Sequence, residues 1–596
     1  MNEKELKSAA LEDLPEWDLS DLYSSLNSRQ LAEDLVRLAE QAKEFSRRFK
    51  GQVAALDAET LADAIASYEV CEELLGRIGS FAGLTYAGNV ENSEIGAFFQ
   101  DTHERLNLIG TDLLFFTLEL NLIEDEMLAS LLDESNALKR YSPWIRDVRV
   151  FRPYQLSDEL ERLLHEKDVA GRTAWVRLFD QTMAGLRFEI GGEEMSSAGA
   201  LHLLSDSDSE VRRQAAVELS RVFKQNVRTF SLITNTLAKD KEVEDKWRGY
   251  PDPSTSRHLG NQVEPEVVEA LVSAVQDAYP RLSHRYYEMK AKWLGREYLE
   301  HWDRNAPLPH GDDRNIAWSE ARDTVLEAYA TFSQEMSDVA RLFFDNAWID
   351  APVRSGKSPG AFSHPTVPSV HPYVLLNYQG KTRDVMTLAH ELGHGVHQVL
   401  AGGQGQLMAS TPLTLAETAS VFGEQLTFRS MLRAETEPAR RRAMLAGKVE
   451  DMLNTVVRQI AFYDFETRVH RERRDGELTA ERLGELWLAV QSESLGPVFR
   501  LGEDYRNYWC YVPHFLHSPF YVYAYAFGDC LVNSLYAVYL DAHDGFQERY
   551  FEMLRAGGTL RHKELLAPFD LDASDPNFWG KGLSVISGFI DELEAT

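Results

Sequence analysis

The stretch DVMTLAHELGHGVHQVLAGG, residues 384–403, sets two histidines four positions apart around a glutamate inside an apolar helical pattern. On a helix, residues four apart lie one above the other on one face. His390 and His394 can therefore present two imidazoles to a single ion at about 2.0–2.1 Å each. Glu391 sits one step further around the helix, where its carboxylate can take a proton from an attacking water. Asp384 fits the N-cap of this helix and Gly402–Gly403 its stop. The competing reading is a histidine pair on the side of a core helix. The two part at one requirement: a catalytic zinc needs a third protein ligand and an open position, so a second segment has to be brought to this helix.

Three residues compete for that third place. His397 is on roughly the same helical face, but a turn further along, and one straight helix rarely supplies three ligands to a tetrahedral ion; it reads as a supporting or packing residue. Glu417 lies in STPLTLAETASVFGEQL, a second helix expected to fold back alongside the first, and Thr414-Leu-Ala-Glu417 also matches a capping box in which the glutamate merely satisfies the helix start. Glu424, seven residues on and on the same face, remains a competitor.

Around this constellation the chain reads as mainly helical. Leu31, Leu35, Leu38, Ala42 and Phe45 recur at three- and four-residue steps, and similar stripes run through most of the first 185 residues. RFEIGGEEMSS (187–197) interrupts them with a β-like segment and a Gly-Gly turn, and marks the expected boundary between an N-terminal helical domain, 1–190, and a catalytic domain, 191–596. SDSDSEVRRQAAVELSRVF offers abundant N-cap residues for a further helix. GYPDPSTSRHLGNQ (249–262) and RNAPLPHGDDR (304–314) read as loops, and YVLLNYQG (373–380) as a short strand ahead of the histidine helix. The expectation is a mainly α protein with one small sheet beside the site.

At these residues the chain resembles a known family. HELGHGVH followed by LAETASVFGE, with GAFS, PYVLLNYQG and DVMTLA upstream, resembles the M3 family of zinc metallopeptidases, most closely its oligoendopeptidase F branch. EWDLSDLY (16–23) looks like the family's N-terminal opening. The resemblance implies a zincin-like fold of two largely helical halves enclosing a deep substrate channel. It implies one zinc ion per chain held by His390, His394 and Glu417, with Glu391 as base. WCYVPHFLHSPFYVYAYAFGD (509–529) resembles the family segment in which a histidine and tyrosines bind substrate and stabilise the transition state; His514, Tyr521 and Tyr525 match best, with His517 a rival to His514. From chemistry alone, a phenol or imidazole donor aimed at a developing oxyanion lowers the barrier by a few kcal/mol. Tyr521 and Tyr525 share a helical face and Tyr523 lies on another; aromatic core packing is the competing account of the run.

The function implied is a zinc endopeptidase acting on short unstructured oligopeptides. A zinc carboxypeptidase of similar helical fold and a non-catalytic helical peptide-binding protein are the alternatives. A net charge of −32, from 62 basic and 94 acidic residues, disfavours nucleic acid and membrane surfaces as partners. Three scattered cysteines, Cys71, Cys510 and Cys530, with no C-x-x-C pair suit a reducing compartment, and MNEKELKSAALEDLPEW lacks the apolar core of a signal peptide; the cytoplasm is the expectation. The apolar run at 518–540 carries tyrosines, Asp529 and Asn533 and reads as a buried or cleft-lining helix. RSGKS (354–358) ends like a phosphate loop but lacks its first glycine, which is Ala351, and is read as a flexible cleft-edge loop. Oligomeric state is left open.

Overall fold

Ser28 accepts a hydrogen bond from the Leu31 N–H and opens a helix, Arg29–Phe49, whose apolar stripe of Leu31, Leu35, Leu38, Ala42, Phe45 and Phe49 is buried throughout. The same logic recurs along the chain. The protein, described here by a computed structural model that covers residues 14–308, 314–541 and 545–596, is built of helices, and its strands are two or three residues long. Of the loop expected at 304–314, residues 309–313 lie outside the described residues, as do residues 1–13.

The chain divides into two compact units, each discontinuous in sequence. The first is Met1–Arg152, Asp313–Ala434 and Ala542–Asp570; the second is Pro153–Asp312, Glu435–Asp541 and Leu571–Thr596. The division therefore does not follow a boundary near residue 190. RFEIGGEEMSS is a hairpin inside the second unit, with Phe188 paired to Met195 and Ile190 to Glu193. Gly191 and Gly192 take φ of 65° and 85°, the left-handed pair that a two-residue hairpin turn needs. They mark a turn there, and Phe188 is packed into that unit's core.

In the first unit the helices of the N-terminal segment bury one continuous core, and Tyr373 and Met408 belong to it as well. A three-stranded sheet lies next in the chain: Ile349–Asp350 runs parallel to Tyr373–Leu375, which pairs antiparallel with Phe362–His364. The EWDLSDLY segment is tied to it. Ala351 N donates to Pro15 O at 2.9 Å, Asp18 N to Ala347 O at 3.0 Å, and Tyr373 Oη to Asp18 O at 2.8 Å. The RSGKS segment departs from the expected flexible loop. Lys357 is buried and its ammonium donates to Asp350 Oδ1 at 2.6 Å and to the Asp350, Pro352 and Leu376 carbonyls, while Gly356, at φ 80°, accepts from Val90 N. A lysine so engaged straps the sheet and has no donor left for a phosphate.

The second unit is organised on one 40-residue helix, Ser209–Arg248, about 60 Å long. Asp208 caps its start by accepting from Glu210 N, and Gly249 at φ 80° ends it. The 518–540 run forms the helix Tyr523–Leu540, nearly all of it buried, with Asn533 donating to Asp529 at 2.8 Å. Among the described residues no single helix is long and apolar enough to cross a membrane; Ser93–Leu120 and Asp125–Glu134 meet that test only taken together, across a 101° bend.

Burial in this unit holds three histidines neutral. It pulls His258 and His301 down to about 4 and His470 to about 3. In the unfolded chain each titrates near 6.5, so between pH 6.5 and 4 the unfolded state binds protons that the folded state refuses, and stability falls as pH falls through that window, by up to ~1.4 kcal/mol per pH unit per histidine. His301 stacks on Tyr505 at 4.7 Å, and its ring nitrogens have no hydrogen-bond partner among the described residues. His301→Phe is therefore expected to fold and to lose less Tm than the wild type between pH 7 and pH 5, as read by calorimetry.

Candidate active site

The histidine helix runs Thr382–Ala401. Its start differs from expectation by three residues: Lys381 is the N-cap, and Asp384 is the third helical residue, whose carboxylate reaches back to accept from the Lys381 and Gln379 N–H groups at 2.9 Å each. A carboxylate at that position serves the same orphan donors as a cap and suits the positive end of the helix dipole. Gly402–Gly403 continue as a short 3₁₀ turn, and the chain turns away at Gly405, φ 87°.

Two glycines of this helix set what can approach it. A Cβ on Gly393 would lie 2.5 Å from the Ala419 carbonyl oxygen and from the Ser420 Cα, and one on Gly395 would meet the Phe343 ring. The backbone at 419–420 thus crosses directly over the helix between the two histidines, and the next helix, Ser420–Ala434, lies against it. Tyr329 donates to the Ala389 carbonyl at 2.5 Å, and Tyr550 to the Thr418 carbonyl at 2.8 Å.

This crossing delivers Glu417. The competing capping box is not formed: Thr414 lies inside a four-residue turn, Leu413–Ala416, and Glu417 follows at its end, with Ser420 Oγ donating to Glu417 Oε2 at 2.7 Å. That oxygen is 3.4 Å from His390 Nε2 and 3.4 Å from His394 Nε2. Ligand atoms about 2.0–2.1 Å from a common centre at tetrahedral angles are about 3.3–3.4 Å apart, so the donor set fits one ion. His390, His394 and Glu417 form the one group of three potential ligands gathered this closely among the described residues.

The other candidates are placed around the triad. Glu424 Oε2 is 3.3 Å from Nδ1 of His390, on the ring nitrogen opposite the triad, where it orients the imidazole. His397 is buried, its Nε2 3.4 Å from Thr411 Oγ1, and the Ala416 carbonyl favours the protonated forms of His394 and His397 against the larger opposing effect of burial. Glu391 is buried beside the triad. Burial raises its carboxyl, as does the charge of Glu417, against the opposing influence of His390 and the Ser363 N–H, and the balance stands at about 7. Ser363 belongs to the strand Phe362–His364; its hydroxyl donates to Gln398 Oε1 at 2.8 Å and its carbonyl accepts from Gln398, which anchors that strand to the histidine helix. Glu424, a competitor for the third ligand place from sequence, stands instead against the far ring nitrogen of His390, and Ser363 was given no role from sequence.

In the second unit His514, Tyr521 and Tyr525 form one cluster. The His514 and Tyr521 rings are parallel at 6.1 Å, Tyr521 and Tyr525 meet edge-on at 5.2 Å, and Tyr525 Oη is 3.4 Å from His514 Nε2. His517 is drawn elsewhere, its Nε2 2.8 Å from Asp180. Tyr523 is buried, its hydroxyl accepting from Asn261 at 2.9 Å beside His258. The loop before the helix is held in a strained form: Phe520 has φ 59°, and its N–H donates to the buried carboxyl of Glu466 at 2.9 Å. Arg257 binds the Pro519 carbonyl and lies 5.7 Å from the Tyr521 ring. Glu466 and Arg257 come from distant segments, so no local pattern flags them.

The model of peptidase family M3 matches residues 202–585. The chain belongs to peptidase family M3. A second model, oligopeptidase F, matches residues 119–188. Among relatives of this family, oligopeptidase PepF of Bacillus subtilis is 25% identical over 97% of this chain and 86% of its own, and group B oligopeptidase PepB of Streptococcus agalactiae is 26% identical over 80% of each. The M3 fold is shared with the crystal structure of oligoendopeptidase-F from Enterococcus faecium, TM-score 0.72 at 23% identity, covering 95% of this chain and 98% of that one. A structure from Chlamydophila abortus reaches a TM-score of 0.86 at 22% identity, covering 97% and 98%. As an M3 protein the chain is a metalloendopeptidase, which sets aside the non-catalytic reading.

The geometry separates a ligand from a packing residue. Glu417→Ala is expected to lose bound metal while the helical far-UV signal and Tm stay close to wild type, since the carboxylate caps no helix. Gly393→Ala forces the 419–420 backbone outward and is expected to lower both metal content and stability, the latter by about 1–3 kcal/mol as for other overpacked sites. Metal analysis alongside thermal melts reads both; full occupancy in Glu417→Ala would remove it from the ligand set.

Proposed function

We propose that this M3 peptidase is a zinc-dependent endopeptidase that hydrolyses internal bonds of short, unstructured peptides. The observation that carries the reading is the single Glu417 oxygen 3.4 Å from both histidine Nε2 atoms with Glu391 buried alongside. Two imidazoles and a carboxylate are the donor set of catalytic zinc sites, which keep a fourth position open. What zinc held there supplies is Lewis acidity toward the scissile carbonyl and a lowered pKa for water.

The remaining steps belong to side chains. Glu391 takes a proton from the attacking water as its oxygen bonds to the carbonyl carbon, and gives that proton to the nitrogen as the C–N bond breaks. A carboxyl near 7 suits both directions of transfer at neutral pH. Ser363 N–H and the packing of the helix fix its direction. We assign to Tyr525, with His514 and Tyr521, the binding of substrate and donation to the oxyanion, on the resemblance of the 509–529 segment and the clustering of these three rings. Short peptides as substrates accord with the names of the relatives. The net charge of −32 supports the absence of nucleic-acid and anionic-membrane partners, and the three buried free cysteines accord with a cytoplasmic setting. A carboxypeptidase of similar fold would need a free C-terminal residue next to the cut, so turnover of an internally quenched peptide blocked at both ends, with chelator inhibition reversed by zinc, tests the proposal.

Glu391→Gln is expected to keep its metal and lose nearly all turnover, because the amide fits but cannot accept the proton. Equal loss of metal and activity would make the carboxylate structural. Tyr525→Phe should lower kcat roughly tenfold to a thousandfold with KM nearly unchanged. Tyr523→Phe should instead leave the buried Asn261 donor unpaired and cost about 1–3 kcal/mol of stability. If Tyr525→Phe and Tyr523→Phe behave alike in both assays, the tyrosine run is packing and the oxyanion donor lies elsewhere.

A further inference from the structure

The second unit holds a cavity of about 210 Å³ lined by Arg304, Arg458, His301, Tyr505, Tyr508 and Tyr511 among others, and among the described residues no aspartate or glutamate lines it. That is unusual in a chain with 94 acidic residues against 62 basic ones. Arg304 is buried, yet among the described residues its side chain is hydrogen-bonded only to the neutral Asn454 Oδ1, at 3.0 Å. Arg458 donates to the Tyr511 hydroxyl at 2.6 Å and lies 4.9 Å from the Phe462 ring, and its Nε is buried without a partner. Among the described residues neither guanidinium has a carboxylate in ion-pair contact. Of the acids close by, Asp303 binds Arg212 and Arg296, both at 2.9 Å, and Glu450 binds Lys290 and Tyr286, while the charge of Asp504 acts on His301 and Tyr508. A buried cation without a counter-charge is among the costliest groups a fold can carry.

The rest of the lining is mixed: Leu201, Leu204 and Trp302 are apolar, and Asn305 carries both a donor and an acceptor. Both ring nitrogens of His301 are buried with no partner among the described residues, and they present no surface to the cavity. Tyr511 accepts from Arg458 and retains its own hydrogen to give. The charged groups of the lining are two guanidiniums, and with the Tyr511 hydroxyl they are donors that complement a carboxylate with its several acceptor sites. It also adjoins the histidine–tyrosine cluster: Tyr511 is three residues before His514, and the charge of Arg458 bears on that histidine.

We propose that this cavity is a carboxylate-binding site, and that in the working enzyme the carboxylate is the free C-terminus of a bound peptide. The second half rests on the peptidase function proposed above; the first does not. A single charged hydrogen-bond set of this type gives a preference of about tenfold or more.

The test uses the inactive Glu391→Gln protein and one pentapeptide made as the free acid and as the amide. The acid is expected to bind about tenfold or more tightly than the amide by calorimetry. Arg458→Met, placed in the same background, should bring that ratio to about one, and Arg458→Lys should restore part of it. Acetate and inorganic phosphate, each followed by its effect on Tm, are read in parallel and need no turnover. Acetate raising the Tm of the parent but not of Arg458→Met, with acid and amide binding alike, keeps the carboxylate site and overturns the peptide C-terminus as its occupant. Protection by phosphate alone overturns the carboxylate assignment. No acid–amide difference and no effect of acetate overturns the proposal, leaving the two arginines a structural pair. If Arg458→Met does not fold, the acid–amide ratio in the parent decides.

Discussion

The contact between the Ala419–Ser420 backbone and Gly393 governs the metal centre. A glycine there lets one chain segment lie on the helix between His390 and His394, at a distance no side chain tolerates. The carboxylate of Glu417, two residues before the contact, arrives 3.4 Å from both imidazoles as a result. The surrounding bonds resist its displacement: Tyr550 on the Thr418 carbonyl, Tyr329 on the Ala389 carbonyl, and Ser420 on Glu417 itself. Such supporting groups turn a set of residues capable of binding an ion into a site with defined geometry.

The electrostatics of the two units differ in kind. Around the histidines, buried Glu391 and half-buried Glu417 and Glu424 crowd together, and His390 is held at about 9 against desolvation, by the hydrogen bond to Glu424 and the charges of all three carboxylates. That is a place that attracts a cation. In the second unit the arrangement is reversed, with Arg304 and Arg458 lining a cavity that has no acid among its described lining residues. A hydrolase acting on peptides has use for both signs, since a peptide carries a polarisable carbonyl along its chain and a carboxylate at its end.

The tyrosine cluster shows how a loop with a non-glycine residue at its left-handed position is kept in place. Phe520 occupies a left-handed conformation that costs a non-glycine residue of order 1–3 kcal/mol, and the Glu466 carboxyl receives its N–H. Burial raises Glu466 to about 8, so at neutral pH it is largely an uncharged acid, a form that can sit in an apolar setting while still accepting a hydrogen bond. Tyr521 lies just outside the helix that begins at Tyr523, yet its ring still meets Tyr525, because the strained turn aims it there.

How much was legible in the sequence follows the range of the interactions involved. Helical stripes such as Leu31 to Phe49, the Gly191–Gly192 turn and the i, i+4 histidines are local, and periodicity and backbone sterics determine them within a few residues; the family was readable from the same segments. The start of the histidine helix was misplaced by three residues because Asp384 can serve the helix end from inside as well as from the cap. What only the tertiary structure decided depended on segments far apart in the chain. Glu417 became a candidate ligand and not a cap because Gly393 admits the 419–420 backbone. Lys357 became a strap because four oxygens of the sheet region surround it. The compact units were assembled from three separate stretches each, with no break at residue 190. The sequence by itself determined which residues can do chemistry, since that is a property of side chains and local spacing; which of them meet was decided by close packing, where a missing Cβ or a buried charge without a partner acts across hundreds of residues.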